Sequence, residues 1–162
     1  MRPGVRCIPL QSELSNVMKH AIGFAAALLL IASIGSASGA PARAPQEADW
    51  NKIRLVINAQ LEAFRRDDAN AAYSFAAPEI RSLFRSPKEF MHMVRTGYKA
   101  VYRPRSVRFL HHFMVAGRPV QPLEVVTGDD QLIVAYYVMQ RQHDGSWKIA
   151  GCSLKGAAAT SV

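Results

Sequence analysis

Cysteine is scarce in this sequence, which has two cysteines, Cys7 and Cys152, among its 162 residues. Cys7 lies in an N-terminal segment with the features of a cleavable leader, so the mature chain is expected to keep Cys152 alone. A single cysteine excludes an intramolecular disulfide, and the core must therefore be held by burial. No histidine or asparagine is identifiably paired with Cys152, which favours a buried, unreactive thiol over a catalytic one.

The motifs of several common chemistries are also missing. The sequence has no Ser-His-Asp order, no glycine-rich phosphate loop, no haem motif and no spacing typical of metal ligands. His111 and His112 are neighbours on a predicted strand, so they face opposite ways and cannot chelate one metal ion. We therefore predict no metal and no cofactor.

Charge is absent from residues 21–34, which follow the short basic patch Met18-Lys19-His20. The small residues of 35–40 come next, and this order predicts a signal peptide over residues 1–39. The alternative is a membrane anchor, but an uncharged run of 14 residues falls short of the roughly 20 that cross a bilayer as a helix. We predict an exported protein, periplasmic or secreted, without a stable membrane anchor after cleavage.

The remaining chain divides into a linker, one domain and a tail. The segment before Met18 contains two prolines and Glu13, which suit a signal peptide poorly, so Met18 is a candidate for the true start. Residues 40–48 are rich in proline and alanine and predict a linker. Residues 49–154 predict a single domain, and 155–162 predict a flexible tail.

Basic residues outnumber acidic ones, at 20 Lys and Arg against 12 Asp and Glu, for a formal net charge of +8. An excess of positive charge suits anionic partners, although solubility alone also explains it. The basic residues are scattered and lack the clustered stripe of a nucleic-acid groove, and export also argues against nucleic acid. We predict no nucleic-acid partner.

The first half of the domain is helical in pattern. Asp49 is predicted to cap a helix with an apolar stripe at spacings of three and four. That stripe consists of Trp50, Ile53, Ile57, Leu61 and Phe64. Asp67 or Asp68 is predicted to cap a second short helix, and Ser86-Pro87-Lys88-Glu89 is a capping box for a later one.

The second half alternates as strands do. Residues 107–115 predict one strand, with Val107, Phe109, His111, Phe113 and Val115 on one face. A second strand at 120–127 contains Pro122, which predicts an edge position or a bulge. A third strand at 131–142 is apolar on both faces, and Asp144-Gly145 predicts a hairpin to the last one. Helices followed by an antiparallel meander indicate an α+β fold, with a pocket expected between the long helix and a curved sheet.

Several segments resemble a bacterial family known as domain of unknown function 4864. Among them are Ser86-Pro87, Gly97-Tyr98, 101–107 (VYRPRSV) and 145–152 (GSWKIAGC). The resemblance covers about Asp49 to Leu154 and implies no known activity. The element order is similar to that of the nuclear-transport-factor-2-like α+β cone, a superfamily that contains both enzymes and binding modules, so the fold does not decide the function.

Five polar residues are candidates for ligand binding. Gln60 lies beside the apolar helix face, where a buried amide needs partners, either backbone or ligand. The other four, which precede the predicted sheet, are Tyr98, Tyr102, Arg103 and Arg105. Arginines recognise carboxylate or phosphate through paired hydrogen bonds, so these residues predict an anion site. The alternative is that they pair with Asp67, Asp68 or Glu79 and tie a loop to a helix. Tyr136 or Tyr137 of the third strand also offers a phenolic donor.

The candidates for catalysis are His111 and Asp68, each with a structural alternative. His111 shares an apolar strand face and could point into the cone as a base, although such a histidine is more often a hydrogen-bonded core residue. Asp68 could act as a base at the pocket mouth, although helix capping is the favoured explanation.

Three functions are therefore compatible with the sequence. The first is non-catalytic binding of a small anionic or apolar ligand in the cone, or of a protein partner. The second is a cofactor-independent isomerase, lyase or hydrolase in the same pocket, and the third is a dimeric assembly module that pairs through its sheet as a homodimer. Of these, we favour binding over enzymatic activity.

Overall fold

The computed structural model describes residues 44–156. The predicted signal peptide, the start of the predicted linker and residues 157–162 of the predicted tail lie outside that range. Within it, helices precede a five-stranded antiparallel sheet, so the predicted α+β class is confirmed. None of the helices in this range has both the length and the apolar character needed to pass through a membrane.

Helix α1, Glu47–Arg65, buries the apolar face that the residue spacing predicts. Its buried residues include the whole predicted stripe: Trp50, Ile53, Ile57, Leu61 and Phe64. The predicted cap was wrong, because Gln46 is the N-cap and Asp49 lies inside the first turn. The Asp49 carboxylate accepts a hydrogen bond from the Gln46 backbone N–H at 3.2 Å, which satisfies one donor at the helix start.

Four shorter helices follow α1 and pack beside it: α2 Ala69–Ser74, α3 Pro78–Arg81, α4 Pro87–Gly97 and α5 Lys99–Tyr102. Two of them begin at predicted caps. The Asp68 side chain accepts from the Ala71 N–H at 2.9 Å, and the Ser86 hydroxyl accepts from the Glu89 N–H at 3.2 Å. The Glu89 carboxylate accepts from the Arg85 N–H at 2.9 Å, one residue before the partner that the capping box predicts.

The strands follow the helices along the chain: β1 Ser106–Phe109, β2 Phe113–Val115, β3 Arg118–Val126, β4 Leu132–Arg141 and β5 Trp147–Gly156. All pairs are antiparallel. β3 has β4 on one side and both β1 and β2 on the other, and β5 pairs with β4. The last strand runs into the segment that was predicted to be a flexible tail.

A bulge separates β1 from β2, where one unbroken strand was predicted. Phe109 pairs with Leu123 and Phe113 pairs with Val120, so residues 110–112 face only two residues of β3. The extra residue shifts the alternation by one position, which moves the side chains that follow it to the other face. The prediction that Phe113 shares a face with Phe109 was wrong for this reason, and Phe113 is exposed.

Pro122 lies in β3, which is paired on both sides, so the predicted edge position was wrong and the bulge lies in the facing strand. The Leu110 N–H donates to the Pro122 carbonyl at 3.0 Å. The return bond to the Leu110 carbonyl cannot form, because proline has no N–H. The side-chain amide of Gln121 replaces the missing donor, with its Nε2 at 2.8 Å from the Leu110 carbonyl oxygen.

The core lies between the buried face of α1 and one face of the sheet, which we term the inner face. Along β4, Ala135, Tyr137 and Met139 are buried on that face, whereas Tyr136 and Val138 point the other way and are partly exposed. A ligand site of the predicted kind must therefore be sought between α1 and the inner face.

Candidate functional site

Part of the predicted anion site forms just after α1, around the carboxylate of Asp67. The backbone of Asp67 has a φ of 57°, a left-handed conformation that aspartate adopts more readily than most residues. Its carboxylate accepts hydrogen bonds from Arg95 Nη2 at 2.8 Å, from Arg103 Nη2 at 2.5 Å and from the Tyr102 hydroxyl. The hydrogen bond from Tyr102, followed by that from Arg95, holds the pKa of Asp67 below its usual value.

This Asp67 cluster, made of Asp67, Arg95, Tyr102 and Arg103, ties the end of α1 to α4 and α5. The Asp67 carboxylate forms ion pairs with the guanidinium groups that an anionic ligand would otherwise bind. For Arg103, this is the alternative considered above, in which the arginine pairs with an acidic residue of the chain. All three charged side chains are substantially exposed. Arg95 was not among the predicted residues, because nothing in the sequence links the last turn of α4 to Asp67.

The other three predicted ligand residues lie elsewhere. Arg105 forms an ion pair with Asp130 in the turn between β3 and β4. Tyr98 is partly buried against the core. Gln60 is buried, and its Nε2 donates to the Ala72 carbonyl at 3.1 Å, which joins α1 to α2. The five candidates therefore do not line one site.

Neither candidate base lies in the core. Asp68 is exposed, and its carboxylate is engaged at the start of α2. His111 is exposed in the bulge, where its ring stacks on that of His112 with 5.2 Å between the centroids. An acid–base reaction between α1 and the sheet would need other residues.

Three polar side chains lie side by side across the inner face of the sheet. Gln121 of β3 pairs with Tyr137 of β4, and Tyr137 pairs with Cys152 of β5. We term these three residues the polar row. Gln121 is 0% exposed and Tyr137 is 1% exposed. Polar groups at such depth are normally hydrogen-bonded, so the partners of each atom indicate what the polar row does.

Gln121 uses only half of its side-chain amide within the fold. Its Nε2 donates to the carbonyl oxygens of Leu110 and Pro122 at 2.8 and 2.9 Å. Its Oε1 is buried and has no partner among residues 44–156. A buried polar atom left unpaired costs about 1–3 kcal/mol. The Gln121 side chain therefore satisfies backbone carbonyls beside the bulge with its Nε2, and its Oε1 remains a free acceptor within the core.

Tyr137 and Cys152 complete the polar row with groups that are neutral at neutral pH. The Tyr137 hydroxyl is buried, and among the described residues only the weakly polar Cys152 thiol interacts with it. Burial, followed by the nearby Cys152 thiol, raises the pKa of Tyr137 well above its usual value. Burial also raises the pKa of Cys152 to about 12, although that residue as a whole is partly exposed. The thiol is un-ionised, in agreement with the predicted unreactive cysteine.

The bulge brings His112 to the end of the polar row. His112 belongs to the bulge residues 110–112, which lie opposite Gln121 and Pro122 of β3. Its ring stacks on that of Trp50 of α1, with 3.8 Å between the centroids. Its Nδ1 is buried without a partner in the described range. Burial, followed by the neighbouring His111, lowers the pKa of His112. Arg54 lies one turn along α1 from Trp50, and its Nε is likewise buried and unpaired among the described residues.

Sequence analysis missed Gln121, His112 and Arg54 as site residues and considered Tyr137 only as an additional donor. The available signal was Pro122, since a proline within a strand predicts that another group must supply the missing hydrogen bond. No three His, Cys, Asp or Glu residues of the described range are placed to hold a metal ion.

Comparison with known proteins gives a family and no activity. Residues 46–162, which make up 117 of the 162 residues, match the model of a family described as a domain of unknown function (DUF4864). No curated protein matches the chain. The description assigns no reaction or ligand, so the function must be argued from the polar row and its surroundings.

Proposed function

The chain belongs to the DUF4864 family, and on that premise we propose that it binds a small, largely apolar ligand between α1 and the inner face of its sheet. The ligand carries a polar group that accepts a hydrogen bond from the Tyr137 hydroxyl and donates one to Gln121 Oε1. A hydroxyl group meets both requirements.

The observation that carries this proposal is the pairing of two unsatisfied polar atoms deep in an apolar core. Gln121 Oε1 and the Tyr137 hydroxyl belong to residues paired across β3 and β4, and neither has a nitrogen or oxygen partner in residues 44–156. Small-molecule sites are typically apolar with a few polar groups that fix the ligand's orientation. The surroundings of the polar row fit that description, since Ile53, Ile57 and Leu123 are fully buried in the same core.

Binding is favoured over catalysis by the protonation states of the polar row. An acid or base that works near neutral pH needs a pKa close to that pH. Burial instead moves the pKa of Tyr137 and of Cys152 upward, away from neutrality. The row can therefore orient a ligand but is poorly suited to move a proton.

The order of helices followed by an antiparallel sheet supports the further proposal that the fold is a nuclear-transport-factor-2-like cone. In such a cone the long helix covers the concave face of the sheet. The position of the polar row between α1 and the sheet suits a ligand site in that interior.

Native mass spectrometry on the protein purified gently from its own host tests the binding proposal. We expect a retained small molecule in the wild type and its loss in Tyr137→Phe. The matched control is Tyr136→Phe, which removes a hydroxyl from the adjacent residue on the other face of β4 and should leave retention unchanged. A wild-type protein without ligand, or equal retention in Tyr137→Phe, would contradict the proposal.

We also propose that the protein acts outside the cytoplasm. The support is the order of the basic, uncharged and small-residue segments over residues 1–39. N-terminal sequencing of the protein from the exported fraction should give a chain that starts after residue 37 or 39. A full-length chain confined to the cytoplasm would rule out this assignment.

Self-association through the sheet is a second candidate, favoured by one specific surface. Phe113, Met114 and Val115 of β2 are 40%, 42% and 52% exposed, with no charge among them. Neighbouring exposed apolar residues are typical of interaction sites. Light scattering during size exclusion should then show a homodimer that Met114→Lys dissociates, and a monomer at high concentration would refute this candidate.

A further inference from the structure

The Arg54 guanidinium has one occupied edge and one open edge. Its Nη1 donates to Asn51 Oδ1 at 3.3 Å and lies 3.8 Å from Glu47 Oε1. Its Nε is buried without a partner in residues 44–156. The edge formed by Nε and Nη2 carries two parallel donors, which match the two oxygens of a carboxylate.

The same molecule shows what this edge of an arginine does when a carboxylate is present. Arg108 of β1 donates from Nε to Glu124 Oε1 at 2.9 Å and from Nη2 to Glu124 Oε2 at 2.8 Å. That pair lies on an exposed part of the sheet. Arg54 is the more buried of the two arginines, with a side chain 34% exposed, and its equivalent edge has no such partner in the described chain.

The charges around Arg54 favour a ligand with one negative charge. Glu47 lies beside the guanidinium and offsets part of its positive charge. His112 is close enough that Arg54 and Glu47 both act on its pKa, and burial keeps its ring neutral at neutral pH. One cation with a nearby carboxylate suits a monocarboxylate better than a phosphate dianion, which would bring a second uncompensated charge.

Arg54 is connected to the polar row through a series of neighbouring residues. Arg54 lies one helical turn from Trp50, Trp50 stacks on His112, and His112 faces Gln121 in the bulge. His112 Nδ1 can add a third donor in the tautomer that carries its proton there. We propose that the ligand is a hydroxylated monocarboxylic acid, with its carboxylate on Arg54 and its hydroxyl between Gln121 and Tyr137.

This inference rests on the proposed function, since the hydroxyl is held by the same Gln121 and Tyr137 groups. It adds the carboxylate and the residue that binds it. Isothermal titration calorimetry with the wild-type protein, after removal of any ligand retained from the host, tests the two parts separately. The first probe set is 4-hydroxyphenylacetate, phenylacetate and the neutral 2-(4-hydroxyphenyl)ethanol. A longer set is 10-hydroxydecanoate, decanoate and decane-1,10-diol.

In at least one set, the hydroxy acid should bind more tightly than either relative. Loss of the carboxylate should weaken binding about ten- to a hundredfold, the range expected for hydrogen bonds to a charged group. Arg54→Gln should remove that difference, and Arg54→Lys should restore only part of it, because lysine keeps the charge without the paired donors. The matched control is Lys52→Gln, which removes the same charge from an exposed position on α1 and should change nothing.

The outcomes separate the two proposals. Neutral alcohols that bind as tightly as the acids, with weakening by Tyr137→Phe, would overturn the carboxylate assignment and support the interior site. A carboxylate preference that survives in Arg54→Gln would overturn the role of Arg54. Failure of all six probes to bind the wild type would overturn the hydroxy-acid assignment, whereas the proposed function is decided by ligand retention in native mass spectrometry.

Discussion

The Asp67 cluster and the polar row differ in charge, in exposure and in how well their polar atoms are hydrogen-bonded. In the Asp67 cluster the groups are charged and partly exposed, and the carboxylate accepts from Arg95, Tyr102 and Arg103. In the polar row the groups are neutral, yet the buried Gln121 Oε1 and Tyr137 hydroxyl have no nitrogen or oxygen partner in the described range. The exposed Asp67 carboxylate thus has protein partners although water could also have bonded to it. The buried atoms of the polar row lack such partners, although an unpaired polar atom costs most free energy when it is buried.

This difference is the basis for giving the Asp67 cluster a structural role and for proposing a binding role for the polar row. A salt-bridge cluster whose groups satisfy one another stabilises a chain junction without needing a ligand. Buried polar atoms without partners are costly, and this cost is the reason for the proposal that a ligand satisfies them. Residue types alone predicted a ligand site at the arginines. The structure shows that those arginines are already paired, and the proposal therefore places the ligand at the unpaired atoms of the polar row.

The largest effect is expected from Gln121→Leu, which tests whether this residue is also structural. The substitution removes the donor to the Leu110 carbonyl beside the bulge. We expect the free energy of unfolding to fall by about 1–3 kcal/mol, because a partly buried carbonyl loses its partner. Urea denaturation of ligand-free protein measures this change.

The control for that prediction restores the missing donor by another route. Pro122→Ala gives β3 the backbone N–H that proline lacks, so the double variant Gln121→Leu with Pro122→Ala should regain part of the lost stability. A strictly additive double variant would show that Gln121 does not substitute for that N–H.

A smaller effect is expected when His112 is protonated. Burial holds its folded pKa below the usual value of 6.5, so the unfolded chain takes up the proton first as the pH falls. Stability is then complete above about pH 6.5 and declines below it until the folded pKa is passed. Urea denaturation between pH 8 and 5 should show this decline in the wild type and not in His112→Phe, which keeps a ring on Trp50. A decline of the same size in His112→Phe would assign it to other groups.

Asp67→Asn should have a still smaller effect, because its ion pairs are exposed and screened. Asparagine also adopts the left-handed backbone of Asp67, so the variant removes charge without adding strain. The folded pKa of Asp67 lies below its usual 3.8; its contribution is therefore present above that pH and lost as the pH falls further. Melting temperatures should differ slightly at low salt and converge at high salt, whereas a large, salt-independent loss would contradict the account.

Tyr137→Phe should change the stability of ligand-free protein least of all, since its hydroxyl loses only a weak interaction with the Cys152 thiol. We expect a change within about 0.5 kcal/mol or a slight gain. Tyr73→Phe is the contrasting variant, because the Tyr73 hydroxyl donates to the Arg81 carbonyl at 2.6 Å. A marked loss in Tyr137→Phe, comparable to that in Tyr73→Phe, would show that the fold already satisfies the Tyr137 hydroxyl.

Local sequence patterns were enough to predict most of the helices and strands, but not to predict the residues of the polar row. The stripe from Trp50 to Phe64 determines the buried face of α1, and the cap at Ser86 follows from side-chain chemistry. The bulge could not be predicted, because its extra residue leaves the alternation of Phe109, His111 and Phe113 intact in the sequence. The pattern looks unbroken, although the face changes.

The polar row depends on information that no local pattern contains. Gln121 and Tyr137 meet only through the register of β3 and β4, and that register places them on the inner face together. The Asp67 cluster likewise needs the packing of α4 against the end of α1 to bring in Arg95. Sequence analysis recognised these residues as polar but could not know which of them the fold satisfies.

A high-resolution crystal structure of the protein isolated from its own host tests the central claim most directly. We expect density for a bound organic molecule with one polar atom within hydrogen-bond distance of both Gln121 Oε1 and the Tyr137 hydroxyl. A direct hydrogen bond between those two groups, or a single ordered water that satisfies both, would contradict the claim and make the polar row part of the core.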